Sequence, residues 1–475
     1  MADAIFFPFC YNQGMRTRCR ILPAAWAVLA ALLPLAAAVD GPSPASAYFM
    51  LDNGLQVLLQ EKRGPGLTAV TLAVDIGTKD ETDATSGYAH LLEHLLLFGG
   101  GGAGSEARLA ELRRHGVAHN AHTDHDLMTF EASCPAAEGA WTLEWVREAV
   151  FSWRPDPALL EGEKQVIAEE ILQLRDDPDR LGRLRVMEQL FAGHAYGRPV
   201  YGDGAAIRAA SVESVEAFCR PRLVPERCAL VVVGDFPLAE MEAQVRRAWG
   251  ALPAGGPAAR AAAEPGDAGR LEKSSEERIE LDISESHLFI AWRAPGFNDD
   301  LRLPFTLLTY VLGRGLNPVL GAVLRGGRQL ADRVDMSYQP MRHGGMAVLH
   351  LVLAERNLRS ATAEVAAFLS RIGSFKFSRQ DVMPEYRSLM PDYLESAKNQ
   401  MAYGDGAFRE SALNLSAAAA RFLLLNRASA KGSYLDSVER LDGGDLRRAA
   451  GKALSGKKWA LLAITPLAAG SGRKK

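Results

Sequence analysis

Cysteine is scarce in this chain, with five among 475 residues. Beyond residue 47 only Cys134, Cys219 and Cys228 remain, and an odd count leaves at least one thiol free. Cys219 and Cys228 flank Arg220-Pro221-Arg222-Leu223-Val224-Pro225 and could pair in an oxidising compartment; the simpler reading is three buried, unpaired thiols. Charge of one sign is also lacking. The net charge is −3, and no run of like charge stands out. That excludes the basic footprint of a nucleic-acid binder, so no nucleic acid is expected as partner. Gly99 to Gly102 is rich in glycine but lacks the Lys-Ser/Thr of a phosphate loop, and reads as a turn.

The rest of the composition is ordinary, with 48% hydrophobic and 23% charged residues, and the length suits two or more domains. The N-terminus reads as a targeting leader over residues 1–47. Arg16, Arg18 and Arg20 precede an apolar, alanine-rich run from Ile21 to Ala38. Ala36-Ala37-Ala38 and Ala45-Ser46-Ala47 are candidate cleavage sites, and Met15 is an alternative start to Met1. A signal peptide of this kind predicts a periplasmic or secreted protein. The alternative is an uncleaved membrane anchor facing the periplasm, against which Pro23 and Pro34 argue.

Against this background one stretch carries chemistry: His90-Leu91-Leu92-Glu93-His94, an H-x-x-E-H motif. On a helix, positions i and i+4 share a face, with Cβ atoms about 6 Å apart, so two imidazoles can share one metal ion. Glu93 lies on nearly the same face and can act as a base toward water. The surrounding Tyr88 to Phe98 is otherwise apolar. Buried ionisable groups need partners, and a metal satisfies these three together. The chemistry requires three protein ligands, one open position and one base. The motif occurs once.

A third ligand is expected on another helix. Asp156 is a natural N-cap, Pro157 suits the first helical position, apolar residues recur at helical spacing to Leu174, and Pro178 ends the pattern. Glu163 and Glu170 are seven residues apart, two turns along one face. Glu170 is the expected ligand and Glu163 a carboxylate that steadies the site, with Glu169 as the competitor for ligand. Solvated helix glutamates are the bland alternative.

These segments together resemble the pitrilysin/insulinase family of zinc metallopeptidases, which includes the mitochondrial processing peptidases. The resemblance runs in order through Leu51-Asp52-Asn53-Gly54-Leu55-Gln56-Val57, Gly87 to His94, Asn120-Ala121-His122-Thr123, Val166-Ile167-Ala168-Glu169-Glu170, His194-Ala195-Tyr196-Gly197 and Ala229 to Asp235. It implies an α+β fold: two related α/β-sandwich halves, each a mainly antiparallel sheet with helices on one face, forming a clamshell. It implies one zinc per chain, held by His90, His94 and Glu170 in the first half only, with Glu93 as catalytic base. It further implies that Asn120, Ala121, His122 and Thr123 border an edge strand to which an extended peptide substrate adds.

Composition sets the divisions. Tyr48 to Leu252 forms the zinc-bearing half (48–252). Within it Val70, Leu72, Val74 and Ile76 alternate with Thr71, Ala73 and Asp75 as a half-buried strand. Residues 253–277, rich in Ala, Gly and Pro near their start, read as a linker. Residues 278–466 form the second, metal-free half, and 467–475 a tail.

The chain departs from the family at three places. Relatives carry an arginine and, seven residues later, a tyrosine that stabilises the oxyanion. Arg325 matches the arginine, but Asp332 occupies the tyrosine position and Tyr338 stands at the wrong spacing. An ionised aspartate is a poor oxyanion donor. A related partner chain supplying the Arg/Tyr pair is therefore expected, or a homodimer. Leu97, followed by Phe98, and His122 stand where relatives often carry Phe, which alters the side-chain pocket. His119, His122 and His125 could be read as a second metal site, although their spacing suits it poorly. The expected function is a zinc endopeptidase acting on peptides or unfolded segments. The rival is a non-catalytic, chaperone-like peptide binder that keeps the clamshell.

Overall fold

The computed structural model describes residues 45–467 except 65, 100–104, 155, 257–264, 270, 317, 376, 378–391, 427–433 and 455–457. The leader through residue 44 and the tail from 468 lie outside the described residues, as does much of the expected linker.

The first half is built on a six-stranded sheet: β1 (Ser46–Met50), β2 (Gln56–Glu61), β3 (Leu67–Val74), β4 (Ala118–Thr123), β5 (Met128–Pro135) and β6 (Cys228–Gly234). Their spatial order is β1-β2-β6-β3-β5-β4, antiparallel except for the β2–β6 pair, so β4 is an edge. Helices Tyr88–Gly99, Gly139–Phe151 and Leu238–Trp249 bury one face of this sheet. Leu91, Leu92, Leu95 and Leu96 of the first helix are buried there, each worth about 1.5–3 kcal/mol of apolar transfer. The second half repeats the plan with β7 (Ser275–Leu281), β8 (Ser286–Ala294), β9 (Arg333–Met341), β10 (Gly344–Leu353) and β11 (Ala460–Pro466), ordered β7-β11-β8-β10-β9. Its core includes helices Arg302–Thr309, Leu358–Ser370 and Gly443–Ala453.

The halves exchange helices. The alanine-rich helix Ala412–Leu425 of the second half lies on the other face of the first sheet, against Leu58, Ala73, Val231 and Val233. Helix Pro178–Leu190 of the first half lies on the second sheet, against Phe289, Ala291 and Leu462. Gly182 makes that approach feasible, because a Cβ there would meet the Phe289 ring at 2.1 Å.

This exchange corrects the expectation of a half-buried third strand. Thr71 and Ala73 are as fully buried as Val70 and Leu72, and the Thr71 hydroxyl lies 2.8 Å from the Ser416 hydroxyl. Alternation of polarity reports a strand but not a cover supplied from more than 300 residues downstream. β1 begins at Ser46, inside the expected leader, and β7 begins at Ser275, inside the expected linker. The three cysteines are buried and unpaired. Cys219 ends helix Val212–Cys219 and Cys228 opens β6, and each thiol lies near a backbone carbonyl of its own segment.

Candidate metal centre

The H-x-x-E-H motif lies on helix Tyr88–Gly99. Gly87 precedes it at φ +93°, where a Cβ would also strike Gly202, so glycine is required twice over. The helix start is capped from a distance. The Glu81 carboxylate accepts from Gly87 N at 3.0 Å and Ala89 N at 2.8 Å. An acidic group there complements the helix dipole, although burial pushes the carboxyl up to about 8. No local N-cap residue precedes His90, so this cap was invisible to sequence reading.

His90 and His94 project from one face with ring centroids 4.8 Å apart. The facing helix runs Pro157–Gln173, capped by Asp156, whose side chain accepts from Ala158 N and Leu159 N. It brings Glu170 Oε2 to 3.6 Å from His90 Nε2 and 3.9 Å from His94 Nε2. Glu169 is exposed instead, so the one-residue choice falls on Glu170. One ligand atom from each of His90, His94 and Glu170 lies within 4.8 Å of the others. Glu163 lies one step back, with Oε2 2.9 Å from His94 Nδ1. That contact orients the ring and leaves Nε2 toward Glu170.

These residues fit a divalent cation. Three carboxylates, Glu93, Glu163 and Glu170, surround two histidines, with Arg180 as a cation that acts on Glu170. A buried cluster of that charge needs a cation. His90 Nδ1 and Glu93 Oε2 have no hydrogen-bond partner among the described residues. Two imidazoles and one carboxylate form the donor set of a catalytic zinc with an open position.

The titrating groups respond to the same burial. Burial, then the neighbouring His94, holds His90 well below the usual imidazole range. Burial also lowers His94, but the Glu163 contact and the nearby glutamates outweigh it and raise the ring. Burial pushes Glu93 up to about 7, opposed by Thr123 of β4. Glu170 is raised by burial, partly offset by His94.

The substrate-strand residues divide between two faces. Ala121 packs into the helix-covered core and Thr123 faces Glu93. Asn120 and His122 alternate with them on the opposite side of edge strand β4. Leu97 packs against the first core, and the Phe98 side chain lies outside the described residues. The three histidines of the alternative metal reading do not converge. His119 packs edge-on to Trp145 and His125 edge-on to Tyr196, and the single His/Cys/Asp/Glu group among the described residues that could hold a metal is His90, His94 and Glu170. In the second half, Arg325 and Asp332 are exposed. Tyr338 is buried and its hydroxyl donates to Pro295 O at 2.6 Å, which removes it as a stand-in for the missing tyrosine. Tyr201 was missed by sequence reading. Its ring stands edge-on to His90 with centroids 5.3 Å apart, and no period or spacing marks it.

Residues 56–204 match the profile described as Insulinase (Peptidase family M16), and residues 209–383 match Peptidase M16 inactive domain. The chain belongs to the insulinase family, M16. Among its M16 relatives, a zinc protease of Mycobacterium tuberculosis is 27% identical over 68% of this chain and 74% of its own length. A zinc protease of Bacillus subtilis is 22% identical over 74% of this chain and 86% of its own. The beta subunit of the mitochondrial-processing peptidase of Lentinula edodes is 22% identical over 55% of this chain and 57% of its own. A protease of Helicobacter pylori has the same fold, with a TM-score of 0.78 at 18% identity over 89% of this chain and all of that one. An M16 inactive-domain protein of Pseudomonas fluorescens gives 0.75 at 20% identity, over 90% and 98%.

Proposed function

We propose that this M16 chain is a zinc-dependent endopeptidase cleaving peptides or unfolded segments. The observation that carries the reading is the convergence of His90, His94 and Glu170 beside the buried carboxyl of Glu93. Zinc bound there would supply the positive charge that polarises a scissile carbonyl and acidifies water. Glu93 takes a proton from the attacking water and delivers it to the leaving amide nitrogen. Its burial favours the protonated form, and a cation bound beside it would favour the carboxylate, the form that accepts the proton. Glu163 fixes the His94 ring. Edge strand β4 pairs with β5 on one side only, so an extended substrate adding along its other side would bring its carbonyl toward Glu93 beside Thr123.

The reading is tested with Glu93→Gln. That variant keeps zinc and loses at least about a hundredfold in peptide cleavage. Cleavage at the wild-type rate contradicts it.

The exposed Arg325 and Asp332, with Tyr338 locked in the core, favour a second element of the proposal: oxyanion stabilisation comes from a related chain carrying an Arg/Tyr pair, or from a second copy of this one. A non-catalytic peptide-binding role is the rival that the same observation supports. The complete His/His/Glu set and the buried Glu93 argue against it, because peptide binding needs neither. The basic and apolar leader supports export to the periplasm or outside the cell.

A further inference from the structure

The β4–β5 turn lies where the two halves meet, and β4 is the strand expected to receive substrate. Asp124, immediately after β4, organises this turn. Its Oδ1 accepts from Asp126 N at 2.7 Å and Leu127 N at 2.9 Å, and its own N–H donates to Leu127 O at 2.9 Å. Its other oxygen, Oδ2, meets Arg421 Nη1 at 2.6 Å. Arg421 comes from helix Ala412–Leu425 of the second half, and both side chains are about nine-tenths buried, with 12% and 9% exposed.

The same guanidinium acts electrostatically on His122 of β4 and Glu131 of β5, which lie on the same face of the hairpin as Asp124. A second tie lies beside it. Asp126 Oδ2 accepts from Arg342 N at 2.9 Å, Asp126 Oδ1 accepts from the Tyr196 hydroxyl, and Leu127 packs with Phe297 and Leu425. The turn is thus gripped by the second half through a buried ion pair, a backbone amide and the apolar packing of Leu127. One residue before Asp124 stands Thr123, which faces the Glu93 carboxyl.

We infer that Arg421 is a positioning residue for the substrate strand: through Asp124 it fixes the end of β4 and so sets a paired peptide against Glu93. The inference rests on the peptidase reading for its catalytic consequence. A long peptide pairing along β4 depends on the strand's position. A short peptide that barely reaches β4 does not. Removing the guanidinium loosens the turn at Asp124, leaving the amide contacts of Thr78 and Lys79 to Asp124 O and His125 O, without touching a zinc ligand or the base. Misplacement of a substrate by a fraction of an ångström is enough to cost an order of magnitude in rate.

The test uses the full chain loaded with zinc, two peptides of about ten and about three residues, and hydrogen exchange across residues 118–123. Arg421→Gln and Asp124→Asn are each expected to speed exchange in that segment. Each should lower kcat/KM on the long peptide by about tenfold, leave the short peptide within about twofold, and keep zinc stoichiometry unchanged. Asp124→Asn retains the side-chain carbonyl that holds the turn, so it guards against a general folding defect. Arg421→Lys should recover most of the loss, and the double variant should be no worse than either single one, because both act through one contact. Unchanged exchange in 118–123, equal losses on both peptides, or additive losses in the double variant would overturn the inference. A wild type inactive even with a related chain carrying the Arg/Tyr pair would instead defeat the peptidase reading, while faster exchange in the variants would still establish Arg421 as the anchor of β4.

Discussion

The Nδ1 of His94 and a carboxylate oxygen of Glu163 lie 2.9 Å apart, between two helices that begin 69 residues from one another in sequence terms at those positions. The contact settles which ring nitrogen of His94 is left for a metal. It also raises the imidazole against the effect of burial. Glu163→Gln should therefore weaken zinc affinity by about tenfold to a hundredfold while leaving the protein folded. Competition against a chelator of known affinity measures this, and unchanged affinity would show that Glu163 is an ordinary helix glutamate.

Tyr338 belongs to the core of the second half. Tyr338→Phe removes the donor to Pro295 O and should cost about 1–3 kcal/mol of stability, read from thermal or denaturant unfolding. Peptide cleavage per folded, zinc-loaded molecule should be unchanged. A selective loss of cleavage with stability intact would return Tyr338 to the list of oxyanion donors.

With Tyr338 excluded and Asp332 at the tyrosine position, the isolated chain should bind zinc yet cleave slowly. Adding a related M16 chain with an intact Arg/Tyr pair should raise the rate by roughly a hundredfold, the scale of one oxyanion donor. Full activity of the isolated protein, insensitive both to partner and to Arg325→Ala, would contradict the split site.

Much of the His/His/Glu cluster was legible in the sequence because its parts are local. The i, i+4 histidines, the Asp156 cap followed by Pro157, and the seven-residue step from Glu163 to Glu170 are properties of single helices. The choice between Glu169 and Glu170 was open because it depends on helix rotation, which only packing against the motif helix determines. What was not legible depends on contacts between distant segments. Glu81 caps the motif helix from outside it, Tyr201 stands against His90, and Ser416 and its helix bury the second face of β3. Polarity patterns report which face of an element is apolar, not which remote element will cover the other.

The buried pair between Asp124 and Arg421 has a consequence for acid stability. Burial alone would raise the Asp124 carboxyl, but the Arg421 charge, then His122 and the turn amides, outweigh it and hold it below the usual carboxylate range. The folded state thus binds this proton less readily than the unfolded chain. The pair's contribution is complete above the unfolded value of about 4 and is lost as pH falls toward the depressed one. The unfolding temperature of the wild type should drop more steeply below about pH 4 than that of Asp124→Asn. Parallel curves for the two proteins would show that the pair does not link the halves energetically.

The first strand bears on the mature terminus. Ser46 and Ala47 pair with Gln60 and Leu59, so cleavage after Ala47 would strip two rungs from the β1–β2 ladder. Cleavage after Ala38 spares them. Native protein should begin at Val39, in an exported fraction, when its intact mass is measured. A Tyr48 terminus would contradict the structural preference, and an intact Met1 or Met15 terminus in the cytoplasm would contradict export altogether.

The central claim is that His90, His94 and Glu170 together hold one zinc. Zinc content of the purified mature protein, measured by elemental analysis for wild type, Glu170→Gln and Glu169→Gln, tests it most directly. About one zinc per chain is expected in the wild type and in Glu169→Gln, and loss of most of it in Glu170→Gln. Full retention of zinc by Glu170→Gln, or its loss from Glu169→Gln alone, would contradict it.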